Sequence, residues 1–415
     1  MSTPKKWRAS PPATIPRNGT RMPSDPSEAE IMRTTGLDQW LSSFYGKISA
    51  DEYNLLSRAA RTLEGNVSRG KRPWSPLRGI LPSCCWFAGV WNWDSAFHVM
   101  ALSRWNPELA REQCRIFFRL QKSNGMFPDV WRENGELMDQ YGKPPVFPWA
   151  AAILEKRFPD PRFRKECAES YRRNEEFWVK YRNCPETGLF HYDADKTEPA
   201  KYETWVRWES GLDNSPRWDH GCAGLYAIDL NCYMVMFYRA MNELDPSPEW
   251  VKKEQILIEK IESLLWNKEA QCYQDREIAG GKFNGVISPA SFMPLFIGTA
   301  SPERARSMAK IAEEHETPGW PSVSYHDPAF DPEGYWRGRT WLNIAYFALK
   351  GLKDYGYAEL AETGRRTLLD YVRKTPGFIS ENYHPLTGEP LGCSHFGWSA
   401  AFVIEFILNW DGQNL

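Results

Sequence analysis

The feature that most constrains the fold is an alternation in helix character. Apolar residues recur at helical spacing through most of the 415 residues, and period-two strand patterns are nearly absent. The helical segments sort into two kinds. One kind is amphipathic and charged, at roughly 51–66, 107–122, 160–181, 248–266, 302–314 and 355–373, the pattern of helices with one wet face. The other is poor in charge, at roughly 92–105, 145–157, 223–242, 289–297, 338–351 and 398–409. Within it, "AGLYAIDLNCYMVMFYRAM" (223–241) is apolar nearly all round, as a helix covered on every side should be.

The two kinds interleave, which predicts six helical hairpins closed into a ring, an all-α (α/α)6 barrel with inner and outer helices. An open α-solenoid is the alternative. The connections favour the ring, because polar, aromatic and Gly-rich segments lead into the inner helices at 84–93, 124–145, 184–222, 274–288, 316–338 and 375–397. At one rim of a ring they converge on a single pocket; along a solenoid they do not. The expected division is a flexible Pro-rich segment at 1–30 and one barrel domain at 31–415. The first 26 residues hold six prolines and no apolar h-region, so neither a signal peptide nor a membrane span is expected there, and a cytoplasmic location follows.

A net charge of −2 and the lack of any basic cluster exclude nucleic acid as a partner. No membrane partner is expected, and a homo-oligomer is compatible with the sequence. Nine cysteines without C-x-x-C spacing point to reduced, mostly buried thiols rather than disulfides or zinc. No H-x-x-x-H pair, G-x-S-x-G elbow, Walker loop or G-x-G-x-x-G is present, so no metal and no cofactor is expected.

What is plentiful is carboxylate beside aromatic. The chain has 20 tryptophans, and Trp91, Trp93, Trp131, Trp208, Trp218, Trp320, Trp336 and Trp398 sit beside Gly, Asn, Asp, Arg or Ser rather than in apolar runs. They suggest a ring-lined cleft. The stretch "YETWVRWESGLDNSPRWDHG" (202–221) concentrates the pattern. A pyranose shows an apolar C–H face that stacks on tryptophan and a belt of hydroxyls that carboxylates can hold. Cleaving a glycosidic bond takes two carboxyls, one protonated and one ionised. Apolar neighbours favour the protonated form of the first. The chemistry therefore points to a small carbohydrate substrate.

The stretches "GVWNWDSAFHVMAL" (89–102), "FRLQKSNGMFPDVW" (118–131), "KPPVFPWA" (143–150), "RWESGLDNSPRWD" (207–219), "GWPSVSYHDPAF" (319–330), "YWRGRTWLNIAYF" (335–347), "ISENYHPLTGEPLG" (379–392) and "HFGWSAAF" (395–402) carry a resemblance. In this order they resemble glycoside hydrolase family 63, in its compact branch of mannosylglycerate and glucosylglycerate hydrolases. The motif E-S-G-x-D-x-S-x-R-W is also similar to one in trehalases. The resemblance implies an inverting α-glycosidase on an (α/α)6 barrel.

By the same resemblance Asp213 matches the general acid, Glu381 the general base and Asp94 the carboxylate that grips sugar hydroxyls. Trp93, Gln121, Trp336 and Trp341 would line the cleaving subsite, with Gly211 and Arg337 close by. The candidate binding set is completed by Trp91, Asn124, Gly125, Trp208, Glu209, Trp218, Tyr335, Gly338 and Trp398. Compactness together with the resemblance to that branch favours glucosylglycerate or mannosylglycerate as substrate, over an oligosaccharide or a trehalase-like disaccharide. For a carboxylate aglycone the candidates are Arg207, Tyr383, His384 and the Asp139–Pro145 loop.

The residues alone do not separate Asp213 from Glu209, both expected in a loop after the third outer helix. Asp94 at an inner helix start fits a cap as well as a ligand. Asp219 and Arg217 are expected to pair and brace the loop. Three rivals differ in their requirements. A non-catalytic carbohydrate-binding barrel lacks the acid and base, an epimerase needs histidines on inner helices, and a terpene cyclase needs D-x-D-D or D-D-x-x-D.

Overall fold

The computed structural model describes residues 36–219 and 224–411, so the Pro-rich segment expected at 1–30 lies outside it. After a first helix, α1 (36–42), the outer helices are α2 (Ala50–Gly65), α4 (Pro107–Leu120), α6 (Pro161–Arg182), α9 (Pro248–Leu264), α11 (Pro302–His315) and α13 (Ala358–Lys374). The inner ones are α3 (Asn92–Leu102), α5 (Phe147–Arg157), α8 (Ile228–Leu244), the short α10 (Met293–Phe296), α12 (Leu342–Asp354) and α14 (Gly397–Leu408).

The two sets start differently, except that outer α13, like the inner helices, has no side-chain cap. Ser49, Asn106, Asp160, Ser247 and Ser301 each accept a backbone N–H at the start of an outer helix, which places those boundaries locally. The inner helices α3, α5, α8, α12 and α14 begin at Trp91, Val146, Ala227, Trp341 and Phe396 with no side-chain cap. Packing of apolar surface holds them instead. Every residue of α3 and of α14 is buried.

The ring closes. The inner helices pack in sequence, α3 on α5, α5 on α8, α8 on α10, α10 on α12 and α12 on α14, and α14 returns to α3. Outer α4, α6, α9 and α13 lie on α3, α5, α8 and α12, while α2, from the start of the chain, covers α14 at its end. This is the (α/α)6 barrel.

Three features depart from expectation. Within 184–222 the chain forms a further helix, α7 (Pro199–Ser210), framed by Pro199 at its first turn and by Gly211 in the left-handed region (φ 76°). The connections also pair into short strands, such as Gly89–Trp91 with Val130–Arg132 and Ser380–Tyr383 with Pro390–Ser394. Segments this short carry too few residues to show alternation. Among the eight cysteines described, Cys114, Cys167, Cys232 and Cys272 are buried but Cys84 and Cys85 are exposed, so burial is less general than expected. No helix among the described residues is long and apolar enough to cross a membrane.

Candidate active site

The approaches to α3, α5, α12 and α14 and the turn after α7 meet at one cavity of about 120 Å³. Strand Gly89–Trp91 delivers Trp91, Trp93 and Asp94 to it. The N-cap position of α3 belongs to Trp91 and has no side-chain cap, so Asp94 does not cap the helix. Its carboxyl is buried, and Oδ1 has no hydrogen-bond partner among the described residues. Burial drives its proton affinity well above the usual carboxylate range; Lys143 opposes this, and Asp129 and Glu381 add to it.

Gly211 turns the chain from α7 towards Asp213. A Cβ at Gly211 would come within 2.5 Å of the Trp93 ring, so the close approach requires glycine as well as the positive φ. Burial pushes the Asp213 carboxyl up to about 7, with Lys143 opposing and Asp129 and Glu381 reinforcing. Among the described residues no arginine forms an ion pair with it.

Glu381 comes from strand Ser380–Tyr383, whose register with Pro390–Ser394 is interrupted between Ser380 and Asn382. A bulge there re-aims a side chain. The Glu381 carboxylate accepts from the Tyr335 hydroxyl and, at 2.9 Å, from the Cys393 N–H. Gly392 makes room for it, since a Cβ there would lie 2.4 Å from Glu381 Oε2. Burial raises the Glu381 pKa, against the lowering effect of the Tyr335 and Cys393 hydrogen bonds.

Rings form the walls. Trp93 and Trp398 meet edge to face at 5.2 Å, and Trp336 stacks on Trp341 at 3.9 Å with planes 2° apart. Trp341 is fully buried behind Trp336, its Nε1–H donating to the Tyr335 carbonyl. Trp93 Nε1 and Trp398 Nε1 lack partners among the described residues. Orphaned buried donors and an orphaned buried acceptor around one cavity fit a ligand with hydroxyls.

The structure thus gathers Trp91, Trp93, Asp94, Gly211, Asp213, Tyr335, Trp336, Glu381 and Trp398 around the cavity. Other expected residues lie elsewhere. Glu209 is in α7 rather than a loop, fully buried, and bound by Arg182 at 2.7 Å and by the N–H groups of Asp193 and Gly142, which leaves it nothing for a sugar. Gln121 ties α4 to α6 through Ser170, and Asn124 caps a turn at Met126. Gly125 lies on Arg173, where a Cβ would be 1.9 Å from the carbonyl oxygen, and Gly338 lies as tightly on Asp331.

Trp208 packs on Tyr141, and buried Trp218 donates to the Leu212 carbonyl. The expected Arg217–Asp219 pair does not form. Arg217 instead binds Asp229 and Asp275, and Asp219 binds Arg337, which does not line the cavity. Of the aglycone candidates, Arg207 donates to the Trp218 carbonyl, Tyr383 is fully buried, and His384 accepts from Leu386 and Thr387. From the Asp139–Pro145 loop only Lys143 lines the cavity.

Pro82, Phe87 and Phe396 also line it and were not anticipated. The signal for Lys143 was available: a single cation in "YGKPPVFPWA" (141–150).

A family model described as the mannosylglycerate hydrolase MGH1-like glycoside hydrolase domain matches residues 88–399. The chain belongs to that family. It is 26% identical to mannosylglycerate hydrolase MGH1 of Selaginella moellendorffii, over 80% of this chain and 81% of that one. It is 24% identical to glucosylglycerate hydrolase of Mycolicibacterium hassiacum, over 85% and 97%. The crystal structure of the Thermus thermophilus family 63 mannosylglycerate hydrolase with Tris and D-glycerate superposes with a TM-score of 0.72 at 24% identity, covering 84% of this chain and 99% of that one. Neutral trehalase from Saccharomyces cerevisiae follows at 0.64 and 19%, over 87% and 80%. Both neighbours share the (α/α)6 fold of this glycoside hydrolase.

Proposed function

We propose that this glycoside hydrolase is an inverting α-glycosidase for a small α-mannoside or α-glucoside, with mannosylglycerate and glucosylglycerate as favoured substrates. Asp213 protonates the departing oxygen while Glu381 takes a proton from the water that attacks the anomeric carbon. Asp94 and the free N–H groups of Trp93 and Trp398 hold the sugar.

One observation carries this division of labour. Two carboxyls of one ring-lined cavity are set up differently: Asp213 is pushed up to about 7 with no hydrogen bond contributing, whereas Glu381 accepts hydrogen bonds that favour its ionised form. Environments that separate two carboxyls in this way assign acid and base. The substrate preference is supported by the relatives' names alone. An epimerase mechanism finds little support, since His98, on inner helix α3, is buried away from the cavity lining with its pKa pushed down to about 3.

The test is a panel of α-mannosyl and α-glucosyl glycerates, kojibiose, nigerose and trehalose. Turnover of a glycerate glycoside is expected, with proton NMR showing the β anomer of the first sugar released. An α anomer would overturn inversion, and inactivity on every member would overturn the substrate class.

A further inference from the structure

Lys143 is a cation in a setting otherwise rich in acid. It lines the cavity with Asp94, Asp213 and Glu381, and its side chain is only 10% exposed. Nζ donates to the Trp208 carbonyl and lies 3.8 Å from Asp129 Oδ1. Asp129 is itself fixed. Its N–H donates to the Met138 carbonyl at 3.0 Å, and its carbonyl accepts the Asn92 N–H at 2.8 Å, which ties it to the start of α3. Its carboxyl is buried beside Tyr141, and Oδ1 has no hydrogen-bond partner among the described residues. Asp129 therefore backs Lys143 from behind the cavity wall.

Four carboxyls this close repel one another when ionised, and a buried cation among them acts with little screening. We propose that Lys143, held by the Trp208 carbonyl and Asp129, is a positioning residue that offsets this repulsion and sets the pH at which Asp213 loses its proton. The proposal rests on the acid role given to Asp213 above. The charged and titratable groups that bear on it are Asp94, Asp129, Asp213 and Glu381, the phenols Tyr141 and Tyr335, and Arg132 and Arg339 acting on Asp129 and Glu381. Burial pushes Asp129 up to about 6, so near neutral pH it is mostly ionised and opposes the influence of Lys143 on Asp213.

The two residues then have effects of opposite sign. Lys143→Met removes the charge that favours ionised Asp213, so the alkaline limb of kcat/KM moves up by about one pH unit. Asp129→Asn removes a charge that opposes ionisation, so the limb moves down. The double variant returns towards wild type.

The experiment measures kcat/KM against pH for the full chain and these three variants on mannosylglycerate and glucosylglycerate. The titration of aspartates labelled with ¹³C at Cγ is followed in parallel, with Asp213→Asn identifying the Asp213 signal. Opposite displacements of limb and signal are expected. Limbs or signals that stay in place, or move in the same direction, would overturn the proposal. Retained turnover in Asp213→Asn would overturn the acid assignment instead, and the labelled titration would still report on Lys143. If Lys143→Met does not fold, Lys143→Gln and Asp129→Asn carry the same sign test.

Discussion

Glu209, in the last turn of α7, and Asp213, just beyond it, share a segment but not an environment. Glu209 faces away from the cavity and is saturated by Arg182 and two backbone N–H groups. Asp229 and Asp275 are handled likewise by Arg217, and Glu405 by Arg104. Among the described residues Asp213 and Asp94 receive no arginine, only the influence of Lys143. A buried carboxylate clamped by a guanidinium has its charge compensated and its lone pairs occupied by donors. One left unpaired in a dry cavity holds its proton and can give it away. The contrast separates carboxyls that hold the barrel together from those positioned for chemistry.

The largest expected effect is on turnover. Asp213→Asn and Glu381→Gln should each lower kcat by about a thousandfold on a cleaved substrate, within the range lost with an acid or base. Thermal melting should show both variants folded. Arg182→Met attacks the other side of the contrast by stranding Glu209 as a buried, unpaired charge. It should destabilise the protein by about 3–5 kcal/mol in denaturant unfolding. Comparable loss of turnover at full stability would place Glu209 in the chemistry.

A smaller effect distinguishes the two carboxyls by stability. The folded-state pKa of Asp213, about 7, lies above its unfolded value, so the folded state binds more protons and loses stability as pH rises towards 7. Asp213→Asn should therefore stabilise the protein at pH 8, on the order of 1–3 kcal/mol, with the gain vanishing near pH 4. A gain equal at both pH values would break the link to ionisation. The smallest effect is in the wild-type pH profile. The alkaline limb should fall near 7 as Asp213 ionises, and the acid limb should lie above the ordinary glutamate range because burial raises Glu381.

Much of the barrel could be read before folding because charge and periodicity vary together along the chain. Helix α4 spans Pro107–Leu120 where 107–122 was expected, and α9 spans Pro248–Leu264 where 248–266 was. Helix α7 escaped because "PAKYETWVRWES" mixes charge and ring without a clean apolar face. In the site, motif membership identified residues but not the direction of their side chains. Trp93 and Trp398 reach the cavity, whereas Gln121 and Gly125, from an equally matching stretch, pack against α6. Lys143 and Phe396 reach it from distant segments, a convergence set by closure of the ring rather than by local pattern.

That closure has a consequence for synthesis. Helix α2 is made long before the α14 surface it covers. Until then α2 has its apolar side uncovered, and Glu381 arrives long after Asp213. The cavity is thus assembled only once α14 is in place, and the interval before it docks is when the nascent protein most needs shielding from aggregation.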